Sequence, residues 1–242
     1  GEAAARAYKS GFDAIDIHGH TGYIIDQFMS PLWNQRTDEY GGSTENRARF
    51  AVEIIHAVKE AAPGVPVSFR ISVDHKFSGG RTAAESVELA KHLEAAGLDL
   101  ILADDGSYEA MDYVFPPYYL GDGCMVSAAK ALKAALSIPV VACGNLDPDT
   151  GEAVLAAGDA DIVGIGRGLI ADPELPNKLM AGKKADIRPC IRCNERVKFK
   201  DLLATGERGL SEKHILAAVM NTLGAPIDVL LPESSTETRI VV

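Results

Sequence analysis

No stretch of this chain approaches the roughly 18 consecutive apolar residues that a membrane-spanning helix needs, and no charged-then-apolar leader opens it. Cysteine is scarce. Four in 242 residues (Cys124, Cys143, Cys190 and Cys193) are too few for a disulfide framework in a chain of this size, and a reducing cytoplasm is the expected compartment. Positive charge is also in deficit: 24 Lys and Arg stand against 34 Asp and Glu, a formal net charge of -10. That balance disfavours a nucleic-acid backbone or an anionic membrane surface as partner. Finally, no Gly-x-Gly-x-x-Gly follows the first apolar run, which weighs against a Rossmann unit.

What is present suits a globular α/β chain, with 47% hydrophobic and 24% charged residues and enough length to bury a sizeable core. A short theme recurs at Ser10-Gly11-Phe12-Asp13-Ala14-Ile15, Ala96-Gly97-Leu98-Asp99-Leu100-Ile101 and Ala157-Gly158-Asp159-Ala160-Asp161-Ile162. Each copy follows an Ala-rich amphipathic segment. Glycine there is the expected helix C-cap, and the aliphatic run behind it reads as a buried parallel strand. Two further strands open after prolines, at residues 66–71 and 139–143, and the first strand is expected over residues 12–17. Helical patterns cover residues 44–62, 83–96, 127–136, 148–157 and 173–181. Ser43 is the expected N-cap of the first of these, and Phe50, Ile54, Ile55 and Val58 share one of its faces.

Five alternations of strand and helix by about residue 182 argue for a parallel sheet with helical crossovers, either a (β/α) barrel or an open doubly wound sheet. Five units do not close an eight-stranded barrel, and residue 1 falls inside a helical pattern. A C-terminal portion of a longer protein is therefore expected, with residues 1–182 forming barrel and residues 183–242 a C-terminal extension. Within that extension residues 212–223 look helical, residues 227–231 are aliphatic, and residues 232–238 read as a surface segment.

The chemistry-bearing run is Ile17-His18-Gly19-His20-Thr21-Gly22-Tyr23-Ile24-Ile25-Asp26-Gln27-Phe28, where two histidines and a tyrosine arrive together at a strand end. In parallel α/β proteins, active sites lie at that end. The run resembles the Old Yellow Enzyme family of FMN-dependent oxidoreductases, in particular its NADH:flavin oxidoreductase, 2-enoate reductase and 2,4-dienoyl-CoA reductase branch. The likeness continues through Asn34-Gln35-Arg36-Thr37-Asp38-Glu39-Tyr40-Gly41-Gly42-Ser43-Thr44-Glu45-Asn46-Arg47-Ala48-Arg49-Phe50, Phe69-Arg70-Ile71-Ser72, Cys143-Gly144-Asn145 and Gly164-Ile165-Gly166-Arg167.

The resemblance implies an α/β fold, a partial (β/α)₈ TIM barrel of about strands four to eight. It implies FMN as cofactor and NAD(P)H as hydride donor. His18 would donate a hydrogen bond to a substrate carbonyl oxygen, with His20 or Thr21 beside it, and Tyr23 would protonate the α-carbon. Arg70 would face the flavin N1–C2=O edge, and Gly144, Asn145, Gly166 and Arg167 would hold its phosphate. Cys190 and Cys193 match the start of a four-cysteine [4Fe–4S] motif, but Val197 stands where a third cysteine is expected and no cysteine follows Cys193. Two thiolates do not hold a cubane, so a complete cluster is not expected, and a two-cysteine zinc half-site or an idle pair is the alternative.

The implied reaction is reduction of the C=C bond of an α,β-unsaturated carbonyl compound, an enone, enoate or enoyl thioester. A non-redox phosphate-binding barrel enzyme, or an inactive barrel fragment that needs its missing N-terminal part, are the alternatives. A homo-oligomer is left open.

Overall fold

The computed structural model describes residues 1–194 together with residues 240–241. The segments at residues 212–223, 227–231 and 232–238 lie outside the described residues. The chain runs α1 (Glu2–Lys9), β1 (Ala14–Gly19), α2 (Ile24–Met29), α3 (Thr44–Ala61), β2 (Val67–Asp74), α4 (Ala83–Ala95) and β3 (Leu100–Asp105). A long connection with the short α5 (Met111–Val114) leads to α6 (Val126–Lys133), β4 (Val140–Ala142), α7 (Pro148–Ala156), β5 (Ile162–Val163), α8 (Arg167–Ala171) and α9 (Leu175–Met180). The two-residue β6 (Ile240–Val241) pairs with Ala14 and Ile15 at the edge of β1. All pairings are parallel, in the order β5-β4-β3-β2-β1-β6.

The two faces of the sheet differ sharply in chemistry. Ile15, Ile17, Val67, Phe69, Ile71, Val73, Ile101 and Ala103 are buried on one face. Against them pack Ala48, Ala51, Ile55 and Val58 of α3, Leu89, Ala90 and Leu93 of α4, and Ala128, Ala129 and Leu132 of α6. The other face takes alternate residues, Asp16 and His18 on β1 and Ser68 and Arg70 on β2, because side chains alternate along a strand. The expected helical face on α3 is rotated. Ala48 and Ala51 are fully buried, whereas Phe50 and Ile54 are half-buried, since small residues let the helix approach the sheet closely. Ser43 caps that helix as expected, accepting from the Asn46 amide at 3.2 Å.

Two strand boundaries move, with consequences for the site. β1 extends to Gly19, so His18 stands within the strand, in register with Arg70, and not behind it. β2 runs on to Asp74, so Arg70 lies mid-strand and not at its end. Both shifts have one cause: each strand continues while a parallel neighbour offers backbone partners, whatever the polarity of its side chains.

Residues 34–50, which carry much of the family likeness, serve the fold. Asn34 Nδ2 donates to the Phe28 and Tyr40 carbonyls, both at 2.6 Å. Arg47 donates to the Met29 and Gly42 carbonyls, and Arg49 to that of Glu39. These bonds satisfy loop backbone that helix and sheet ladders do not reach. Gly41 is required on steric grounds, since a Cβ there would sit 2.0 Å from the Arg36 carbonyl oxygen.

Candidate active site

A tight reversal follows β1, with Thr21 at φ 62° and Gly22 at φ 78°. A left-handed threonine is uncommon and needs support from its surroundings. That support comes from three side chains. The Thr21 amide donates to Ser72 Oγ at 3.1 Å, the Gly22 amide donates to Asp26 Oδ2 at 2.8 Å, and Thr21 Oγ1 lies 2.7 Å from His20 Nδ1. Asp26 is itself pinned in a fully buried ion pair with Arg81, at 2.7 Å. His75 Nδ1 accepts from the Arg81 amide at 3.1 Å, which leaves Nε2 as the protonated nitrogen that donates to Asp26 Oδ1 at 3.3 Å. Burial alone would raise the Asp26 pKa, but Arg81, His75 and the Gly22 amide together hold it below the ordinary carboxylate value.

The reversal delivers Tyr23 at the N-terminus of α2, where its backbone is extended and its side chain caps nothing. The His18 and Tyr23 rings lie 5.3 Å apart, and the His18 and His20 rings 4.7 Å apart. Among the described residues, His18 Nε2 and Arg70 Nε are buried without a hydrogen-bond partner. Two unpartnered polar nitrogens at registered positions of adjacent strands are costly unless something else meets them. Burial, then the nearby Arg70 guanidinium, push the His18 pKa down to about 4, with Asp26 opposing. His18 is therefore neutral at pH 7, when it presents one N–H donor.

His20 and Thr21 are committed to the protein interior. His20 is 4% exposed, Thr21 6%, and His20 Nε2 also lies 3.6 Å from Asp104 Oδ2. Burial, then Arg70, His18 and Arg81, keep the His20 pKa well below its ordinary value, while burial raises that of Asp104. The pair shapes the turn from beneath.

A second cluster gathers after β4 and β5. Gly144 takes φ 92°, and a Cβ there would meet Met125 Cγ at 2.6 Å, so this glycine is needed for backbone and packing. Asn145 donates to the Pro117 and Gly121 carbonyls. Arg167 donates from Nη2 to Asn145 Oδ1 at 2.7 Å, and from Nη1 to the Pro116 carbonyl at 2.9 Å and Asn194 Oδ1 at 2.5 Å. Its two terminal nitrogens thus tie the loop after β3, the turn after β4 and the Cys190–Cys193 segment together. A Cβ on Gly166 would meet nothing within 4 Å, which leaves open space over that turn. Cys190 is half-buried, its sulfur accepting from the Arg192 amide at 3.4 Å, and Cys193 is exposed.

One residue escaped the sequence pattern. Tyr108, in the long connection after β3, places its hydroxyl 2.7 Å from that of Tyr23, with the rings edge-on at 5.7 Å. The Ser107 cap on the following short turn, which accepts from the Glu109 amide, was the only local signal.

The His18 pKa gives a check that needs no ligand. An unfolded imidazole takes its proton near 6.5, the folded one only near 4, so the unfolded chain binds more protons in between and stability falls as pH drops from 6.5 to 4. In NMR titrations the His18 ring is expected to stay unprotonated down to about pH 5. A midpoint above 6 would contradict the buried, Arg70-facing placement.

A parallel β/α sheet with unpartnered buried nitrogens and an exposed pair of phenols at its C-terminal edge defines a barrel-type enzyme site. The sequence relations agree. The pattern of the NADH:flavin oxidoreductase / NADH oxidase family matches residues 1–186, and the chain belongs to that family. It is 45% identical over 195 residues to an NADH oxidase of Thermoanaerobacter brockii, covering 80% of this chain and 30% of that one. It is 39% identical over 212 residues to a cinnamate reductase of Clostridium sporogenes, covering 81% and 32%. Among solved structures, a 2-naphthoyl-CoA reductase complex matches with TM-score 0.75 at 33% identity over 80% of this chain and 30% of that one. Morphinone reductase with tetrahydroNAD matches with TM-score 0.60 at 30% identity over 75% and 47%. The chain thus spans about a third of the length of these two curated relatives, and its five units are part of an Old Yellow Enzyme-type TIM barrel. No helix among the described residues is long and apolar enough to cross a membrane.

Proposed function

We propose that this polypeptide contributes the substrate-activating half of an FMN-dependent reductase, which saturates the C=C bond of an α,β-unsaturated carbonyl compound with NAD(P)H as hydride donor. One observation carries the reading: a neutral His18 with an unpartnered buried nitrogen, a Tyr23 phenol 5.3 Å from its ring, and an unpartnered Arg70 Nε on the neighbouring strand.

The residues present fit a flavin. Arg70 has a buried donor to spend on an anionic ring edge, and the turn at Gly166 has room for a backbone-bound group. Arg167, with its terminal nitrogens engaged by Asn145, Pro116 and Asn194, would act on a phosphate through the turns it braces. FMN, when bound, supplies the hydride acceptor and donor that no side chain here provides.

The protein's own part is polarisation and proton delivery. A neutral imidazole N–H of His18 meets the carbonyl oxygen, where negative charge grows as the β-carbon gains hydride. The Tyr23 phenol, protonated at neutral pH, gives its proton to the α-carbon. Enoates and enoyl thioesters are the proposed substrate class, and the cytoplasm the proposed compartment, in keeping with cysteines that are all unpaired.

The test is spectroscopic. Protein loaded with FMN is expected to bleach anaerobically on addition of NAD(P)H and to regain its yellow absorbance on addition of an enone. Failure to take up FMN would remove the reading.

A further inference from the structure

The hydroxyl of Tyr108 points to a role that Tyr23 alone leaves unfilled. A phenol that gives its proton to carbon becomes a phenolate, and it must recover a proton before the next turnover. Tyr23 is 38% exposed, but its oxygen is met by a second phenol at 2.7 Å, and Tyr108 is 56% exposed. We infer that Tyr108 is a second catalytic phenol, which passes a proton from solvent to Tyr23 after each transfer to substrate.

The proposal rests on the ene-reductase reading and deepens it. Its chemistry balances without a further reagent. The Tyr23 O–H bond breaks as the α-carbon C–H bond forms; the Tyr108 O–H bond then breaks as that of Tyr23 re-forms; water returns a proton to Tyr108. No electrons move in these steps. Donor and acceptor are the same chemical group, and a phenolate 2.7 Å from a phenol is held by a charge-assisted bond.

Accidental packing accounts poorly for the pair. Two half-exposed tyrosines could each bond to water at no cost, whereas holding them together gives up side-chain freedom. The backbone beneath them is built to hold them. Ser72 Oγ accepts from the Thr21 amide and donates to the Gly106 carbonyl at 2.8 Å, which bolts the Tyr23 turn to the Tyr108 loop through one hydroxyl. The Gly106 amide donates to the Asp74 carbonyl at 2.8 Å. Gly106 takes φ 85°, where a Cβ would also strike Tyr113 at 2.9 Å, so the chain turns here in a way only glycine allows. Ser107 then caps the short turn that presents Tyr108.

Two measurements on the full chain test the inference. The first uses ¹³Cζ-labelled tyrosine and needs no turnover. In the wild-type protein the Tyr23 signal is expected to change in more than one step, because a second phenol touches its oxygen, and in Y108F in a single step. The second is the proton inventory of steady-state turnover with NAD(P)H and an enone in FMN-loaded protein. Y108F is expected to slow turnover about 10-fold, less than the loss of a direct proton donor, and to turn a curved inventory linear. A Tyr23 titration untouched by Y108F, or a curved inventory that survives it, overturns the relay. Failure of the underlying reading would look different: Y23F protein would then be reoxidised at the wild-type rate.

Discussion

Tyr23→Phe is expected to slow reoxidation of the reduced, FMN-loaded protein by an enone about 100- to 10,000-fold, the range for losing a positioned general acid. Reduction by NAD(P)H should change little, because that half-reaction takes no proton from Tyr23. The ring would keep its contact with His18, since only the hydroxyl is removed. Stopped-flow measurement of the two half-reactions separates the outcomes. Equal slowing of both would mean that the substitution disturbed the turn, and a lone loss in the reductive half would reverse the assignment.

Asp26→Ala is expected to cost about 3–5 kcal/mol of folding stability, because it strands Arg81 as an unpaired buried charge. It also removes the acceptor of the Gly22 amide, and so loosens the turn that aims Tyr23. The pH dependence has a definite sign. With the folded pKa of Asp26 held below the unfolded value of 3.8, its contribution is complete above that value and disappears as pH falls through the folded one. Urea titrations at pH 7 read the loss directly. A midpoint within experimental error of the wild type would show that the pair does not brace the turn.

The fold was legible wherever chemistry repeats. Glycines 11, 97 and 158 end helices before strands, and each takes positive φ in the structure. Ser43 announces the helix it caps. The site was legible less evenly. His18, Tyr23 and Arg70 are found in one neighbourhood, on and after adjacent strands. β3, by contrast, runs through Asp104 and Asp105, which continue the strand despite their polarity because Ser72 and Asp74 of β2 pair with them. Asp105 is fully buried there, and burial lifts its pKa to about 7 with Lys76 opposing. The helix expected over residues 173–181 is present as α9, Leu175–Met180, and the short α8, Arg167–Ala171, precedes it unannounced. The six-residue α2 is too short to show a period. Tyr108 stayed hidden for a related reason: its loop has no periodicity, and its meaning comes from a partner 85 residues away.

Where two hydrogens end up in the product decides the matter most directly. In protein supplied with FMN, NAD(P)D and a prochiral enone in ordinary water, NMR of the saturated product should find deuterium at the carbon remote from the carbonyl. With unlabelled NAD(P)H in D₂O, it should appear at the carbon next to it. Label at the opposite carbon in either arm, or recovery of the enone unchanged from a fully yellow protein, would contradict the roles given to His18 and Tyr23.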